Sequence, residues 1–191
     1  MHGSMSDIDP ISEQVRECAD RIAESGAAAL SGLYDLTSGR LVRFAATITR
    51  NQHDAEDAVQ SALVKVADNP RTLRGAERPW PYLLQMVRNE SLLILRRKKR
   101  WRFATGILDL LTRCPVDELE QEETYRMVWT AMRRLPPKQS EVVALKIWEN
   151  FTFAQIGEVL MISPATAASR YRYGIAKLEI ELRGDEVEER R

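Results

Sequence analysis

Apolar residues return every three or four positions along almost the whole chain, and no run alternates apolar with polar in the way a half-buried strand requires. The pattern predicts an all-α protein, with helices over roughly 11–36, 39–50, 53–68, 77–100, 117–135, 138–148, 153–160 and 164–183. Helix breakers fall between them at Ser38-Gly39, Asn51-Gln52, Asn69-Pro70, Gly75 and Pro136-Pro137. Over 101–123 the character changes from WRFATGILDLLTR to CPVDELEQEE. This predicts one short amphipathic piece around 107–111, then an extended acidic connector. The stretch therefore divides two helical domains joined by a flexible linker.

The segment 152–178, TFAQIGEVLMISPATAASRYRYGIAKL, carries the sharpest signal. Phe153, Ile156, Gly157 and Leu160 share one face of a first short helix; Tyr171, Ile175, Leu178 and Leu182 share one face of a second. Ser163 suits the N-cap of the second helix, because its hydroxyl oxygen can accept from an orphan N–H. Pro164 suits the first helical position, where its missing N–H costs nothing. Thr166, Ser169, Arg170, Tyr173 and Lys177 lie on the opposite face. A short helix, a turn and a second helix with an outward polar and basic face is the layout of a DNA-reading helix-turn-helix. An ordinary helical hairpin with a solvated face fits the same pattern.

Charge changes this picture once the chain is divided. Lys and Arg total 28 and Asp and Glu total 28, so the whole chain is formally neutral. Residues 1–26 hold two basic and six acidic residues, whereas 27–100 hold thirteen and seven. Residues 101–125 hold two and six, 126–183 nine and five, and 184–191 two and four. Two basic blocks thus alternate with three acidic ones, as expected of two polyanion-binding domains around an acidic linker. The predicted division is an acidic N-terminal extension at 1–26, a helical domain at 27–100, a linker at 101–125, a helix-turn-helix domain at 126–183 and a charged tail at 184–191. The first four residues, Met-His-Gly-Ser, look like a cloning remnant before Met5.

Composition excludes several classes. A hydrophobic content of 44% with 29% charged residues is that of a soluble globular protein. Apolar runs such as 92–95 are far too short to span a membrane, and no secretory leader is evident. Cys18 and Cys114 have no partner at metal-ligand spacing and fit a reducing cytoplasm. No metal or cofactor site is expected, and His53 stands alone beside the acidic cluster.

Two further constellations precede the helix-turn-helix. Asp54-Ala55-Glu56-Asp57-Ala58-Val59-Gln60 opens a helix whose apolar stripe leaves Asp54, Asp57 and Gln60 on the outer surface. Carboxylates there also suit the helix dipole. Downstream, Arg78-Pro79-Trp80-Pro81-Tyr82 begins a helix that ends in Arg96, Arg97, Lys98, Lys99 and Arg100, followed by Trp101 and Phe103. Aromatics at one end and five consecutive cations at the other can stack unpaired bases and grip phosphates. A core Trp with a solvated helix end is the simpler alternative. Finally, Leu135-Pro136-Pro137 ends one helix and starts the next.

In this order, the acidic helix, the aromatic-and-basic helix, the acidic linker, the LPP turn and the helix-turn-helix closely resemble the bacterial extracytoplasmic-function (group IV) RNA polymerase sigma factors, over about residues 28–183. The resemblance implies a nonenzymatic, cofactor-free, cytoplasmic initiation factor that binds core RNA polymerase through its β′ and β subunits and directs it to promoter DNA. It also implies that an anti-sigma factor can be a further partner. Carried over by position, Asp54, Asp57 and Gln60 correspond to the surface that docks on β′. Tyr82, Arg88 and Asn89 correspond to the face for the −10 element, with 96–100 holding the adjacent backbone. Ser163, Thr166, Ser169, Arg170, Tyr173 and Lys177 correspond to the −35 reader in the major groove.

The sequence departs from the family at several points. Tyr82 stands where Trp is common, Leu93-Ile94 where Asp-Arg is, and Met161 where the turn often has Gly. Met161 leads one to expect a differently built turn. Ala168, Tyr173 and Ile175 replace frequent cations, so a weaker phosphate grip is expected at the −35 end. Two other classes accommodate the same motifs: a stand-alone helix-turn-helix regulator, which usually needs a dimer seam that is not evident here, and a sigma-mimic interaction module, against which the 96–100 run argues. The alternating charges further suggest that 1–26 or 117–123 lies across a basic face and holds the two domains together.

Overall fold

The computed structural model describes residues 10–105 and 123–188, and every regular element among them is helical. The elements are α1 (Pro10–Ser25), α2 (Leu30–Thr49), α3 (Gln52–Asp68), α4 (Pro70–Arg74), α5 (Pro79–Thr105), α6 (Glu123–Arg134), α7 (Pro137–Ile147), α8 (Phe153–Leu160) and α9 (Pro164–Glu188), with a 3-10 turn at Gly26–Ala29. The all-α expectation holds. None of these helices is long and apolar enough to cross a membrane.

Local chemistry explains the boundaries. Proline opens α4, α5, α7 and α9, where its fixed φ suits a first helical turn and no donor is lost. The Asn51 side chain caps α3 by accepting from the Asp54 N–H at 3.0 Å. Thr152 and Gln155 form a reciprocal capping box at the start of α8, which satisfies two otherwise orphan N–H groups.

Two boundaries differ from the sequence expectation. The first break falls at Gly26, whose φ of 69° lies in the left-handed region, rather than at Ser38-Gly39. Gly39 sits inside α2, because the buried stripe Leu33, Thr37, Leu41, Phe44 and Ile48 runs straight past it. Burial of that stripe outweighs the roughly 1 kcal/mol that a mid-helix glycine costs. The stretch read only as breakers around Asn69-Pro70 and Gly75 contains the short helix α4. The helix expected over 117–135 is described from Glu123; the amphipathic piece at 107–111, the acidic connector, Cys114 and the tail end at 189–191 lie outside the described residues.

Helices α2, α3 and α5 form the first bundle around Phe44, Ala58, Val59, Leu63, Leu83, Leu84 and Val87. Helix α1 seals one side of it with Ile11, Val15, Cys18, Ala19 and Ile22, and Arg16 donates to the carbonyls of Arg74 and Glu77 at 2.9 and 3.0 Å. Helices α6 to α9 form the second bundle around Leu135, Val142, Leu145, Ile156, Leu160 and Ala167. Trp129 stacks on Trp148 at its edge, with ring centroids 5.6 Å apart. The bundles meet directly: α7 lies on α2, and α8 on α5. The Ser140 hydroxyl donates to the Thr47 carbonyl at 3.3 Å, and Arg50 donates to the Leu135 carbonyl at 2.6 Å.

Candidate nucleic-acid interface

The helix-turn-helix forms as the periodicity predicts, with α8 and α9 as its two helices. Ser163 Oγ accepts from the Thr166 N–H at 3.1 Å and shares a hydrogen bond with the Thr166 hydroxyl at 2.8 Å. These two residues therefore fix the entry of α9. The turn corrects one expectation. Met161 itself adopts the left-handed conformation, with φ 55° and ψ 50°, and its N–H bonds the Gly157 carbonyl. The usual turn geometry is thus kept with a side chain in a strained position. Gly157 makes it possible, since a Cβ there would lie 2.6 Å from the Ile162 carbonyl oxygen.

Helix α9 presses Ala167, Gly174 and Leu178 toward the core of its bundle. A Cβ on Gly174 would meet Val143 Cγ2 at 2.7 Å, so α7 and α9 approach closely here. The exposed side carries Ala165, Arg172, Tyr173, Ala176, Lys177 and Ile180, with Ser169 half-buried beside them. Arg170 is half-buried and lies nearer the packed side than Ser169 does. Arg172 is an exposed cation on this side that the sequence expectation left out. It stands one helical step, about 100°, from Tyr173 and two from Gly174, on the side away from α7.

On α5 the basic end is exposed at Arg96, Arg97, Lys98, Lys99 and Arg100, but Lys98 Nζ pairs with Asp54 Oδ2 at 2.7 Å. Asp54 is consequently buried, which corrects its expected place on the outer surface. Its carboxylate ties α3 to the cationic end of α5. Asp57 and Gln60 are exposed as expected, with Val64 on the same side of α3 one turn further on.

The aromatic cluster at the start of α5 is also corrected. Trp80 is completely buried, so it cannot stack an unpaired base; its indole N–H donates to Glu149 Oε2 at 2.8 Å. Tyr82 is half-buried and lines an open groove between α5 and α8, together with Gln85, Thr152 and Glu158. Asn89 is exposed, whereas Arg88 is mostly buried and donates from Nε to Glu141 Oε2 at 3.0 Å. Glu141 and Glu149 belong to the second bundle, so Arg88 and Trp80 are covered by carboxylates from α7 and the loop after it, while Asn89 stays open to solvent.

The two bundles match two known protein families. Residues 33–101 match the model of sigma-70 region 2, and residues 125–178 match the model of sigma-70, region 4. Among curated relatives, the ECF RNA polymerase sigma factor SigL of Mycobacterium tuberculosis is 26% identical over 84% of this chain and 92% of its own. The RNA polymerase sigma factor CarQ of Myxococcus xanthus is 26% identical over 87% and 95%. In fold, the chain is similar to the sigma factor RpoE of Bartonella quintana, solved with the anti-sigma factor NepR. That likeness has a TM-score of 0.65 at 20% identity and covers 80% of this chain and 96% of that one.

Two DNA-binding helical bundles in this order define a promoter-recognition factor. The chain belongs to the sigma-70 family, and its relatives put it among the extracytoplasmic-function RNA polymerase sigma factors. It directs core RNA polymerase to promoters.

Proposed function

We propose a division of labour within this sigma factor, carried by one observation: exposed cations sit on both bundles, at the end of α5 and along α9. Helix α5 has Asn89 and the cationic 96–100 end outward, while α9 has Arg172, Tyr173 and Lys177 outward. The α5 face, with Tyr82, Arg88 and Asn89, reads the −10 element as its strands separate, and 96–100 holds the adjoining phosphates. Cations beside flat or amide side chains suit unpaired bases. The α9 face reads the −35 element by entering the major groove, where base edges carry a distinct donor and acceptor code.

Ser163 and Thr166 position α9, Ser169, Tyr173 and Lys177 contact DNA, and Arg172 restores part of the charge missing at Ala168, Tyr173 and Ile175. Arg170 contributes to phosphate contact from the side of the helix. Asp57 and Gln60 dock on the β′ subunit, and Asp54 orients this surface from beneath.

The factor works in the cytoplasm and adds no catalysis or cofactor of its own; the chemistry belongs to polymerase. An anti-sigma factor is included as a partner, by analogy with the Bartonella relative solved with one. Run-off transcription with core polymerase on genomic promoter fragments tests the division. Arg88→Ala/Asn89→Ala is expected to abolish melting while leaving −35 protection. Arg172→Ala/Tyr173→Ala is expected to weaken −35 protection and leave melting intact on a pre-opened template. Identical defects in both variants would contradict it.

A further inference from the structure

The contact between the bundles has a consistent chemistry. Arg40, Trp80 and Arg88 of the first bundle meet Glu149 and Glu141 of the second, and Arg78 meets Glu158 at 3.5 Å. The side chains of Glu141 and Glu149 are 4% and 3% exposed, so their contacts are sealed, whereas the Arg78–Glu158 pair lies at the solvent-exposed edge. Arg40 also lies over the Trp80 ring, 4.8 Å from its centroid. Each Glu presents an anionic oxygen to a donor on or beside the −10 face, as a phosphate would. Away from this contact, Asp57, Gln60, Arg172, Tyr173 and Lys177 remain exposed.

We propose that Glu141, Glu149 and Glu158 form an internal stand-in for DNA, which closes the second bundle over the −10 face of the free protein and is displaced by nucleic acid during initiation. The closed form keeps its polymerase-docking and −35 surfaces available and withholds Arg88 of the −10 face. Docking and duplex recognition therefore precede opening, and the free protein does not capture stray single strands. The device rests on the −10 reading of Arg88 proposed above. It also relocates the self-contact expected from the acidic segments: 10–25 packs within the first bundle, and 117–122 lies outside the described residues. The carboxylates that cover the basic face come from inside a block whose net charge is positive.

The test uses the full chain, small-angle scattering for closure, and fluorescence anisotropy with a mixed-sequence single-stranded oligonucleotide. Arg40→Gln is the decisive variant. It removes a cation, so simple electrostatics predicts weaker binding, whereas loss of the Glu149 contact predicts an enlarged radius and about tenfold tighter binding. Glu141→Gln/Glu149→Gln is expected to do the same, and Glu17→Gln/Glu179→Gln, which removes two exposed carboxylates elsewhere, is expected to change affinity less than twofold. An unchanged radius in both opening variants, or weaker binding by Arg40→Gln, overturns the proposal. Adding Arg88→Ala to the opened protein separates the two readings. If opening occurs and tightens binding but Arg88→Ala has no effect, the assignment of Arg88 to DNA fails while the closure stands. If opening occurs without tighter binding, the masking role is wrong.

Discussion

Trp80 and Glu149, 69 residues apart in sequence, are joined by a hydrogen bond of 2.8 Å from the indole N–H to a carboxylate oxygen. The bond ties the start of α5 to the loop after α7, with both side chains out of solvent. Glu149 Oε2 also accepts from Arg40, so the indole is one of two donors to this oxygen, and a hydrogen bond to a charged group contributes about 1.5–3 kcal/mol. Trp80→Phe keeps the ring and deletes the donor. Urea denaturation is expected to show a loss of about 2 kcal/mol. A change below about 0.5 kcal/mol, within the range of neutral surface substitutions, would mean that the bond contributes nothing to stability.

The turn of the helix-turn-helix carries strain that glycine would relieve. Met161 is left-handed and 75% exposed, so its side chain gains little from packing. Met161→Gly is expected to raise stability by about 0.5–1 kcal/mol, the left-handed penalty less the extra entropy of an unfolded glycine. Thermal unfolding followed by circular dichroism measures it, and a lowered midpoint would show that Met161 packs usefully.

Gly157 presents the opposite case. A methyl group there would stand 2.6 Å from a backbone oxygen of the turn, and backbone cannot yield as a side chain can. Gly157→Ala is expected to cost about 2 kcal/mol or more through strain at a special backbone position. The measured loss should be accompanied by reduced hydrogen-exchange protection in α8 and at the start of α9, with α2 and α3 unaffected.

Arg172 offers a quantitative test of the −35 surface. If it meets one phosphate, Arg172→Ala should reduce the slope of log affinity against log salt by about 1 on duplex promoter DNA. An unchanged slope and affinity would remove Arg172 from the interface.

Much of this molecule was legible in its sequence because helices and caps are local. The 3.6 period, Ser163 before Pro164, and the prolines at 70, 79, 137 and 164 each act within a turn of the chain. Trp80, Asp54 and Arg88 were misplaced or incompletely placed because their partners are distant: Glu149, Lys98 and Glu141 lie 69, 44 and 53 residues away. Periodicity shows which face a residue occupies, but not what covers that face. Gly39 failed as a breaker for a related reason, since tertiary burial of the surrounding stripe outweighed its intrinsic preference. Arg172 lies outside the expected set because the outward direction of α9 is fixed by the close approach of Gly174 to Val143 on α7, which periodicity does not show.

The chain acts by joining core polymerase to promoter DNA, and titration of the labelled full chain with core polymerase measures that step itself. Saturable binding is expected. It should weaken at least tenfold, about 1.4 kcal/mol, in Asp57→Ala/Gln60→Ala, with affinity for DNA alone unchanged. No binding to core polymerase would overturn the sigma-factor function, and equal binding by that variant would remove Asp57 and Gln60 from the docking surface.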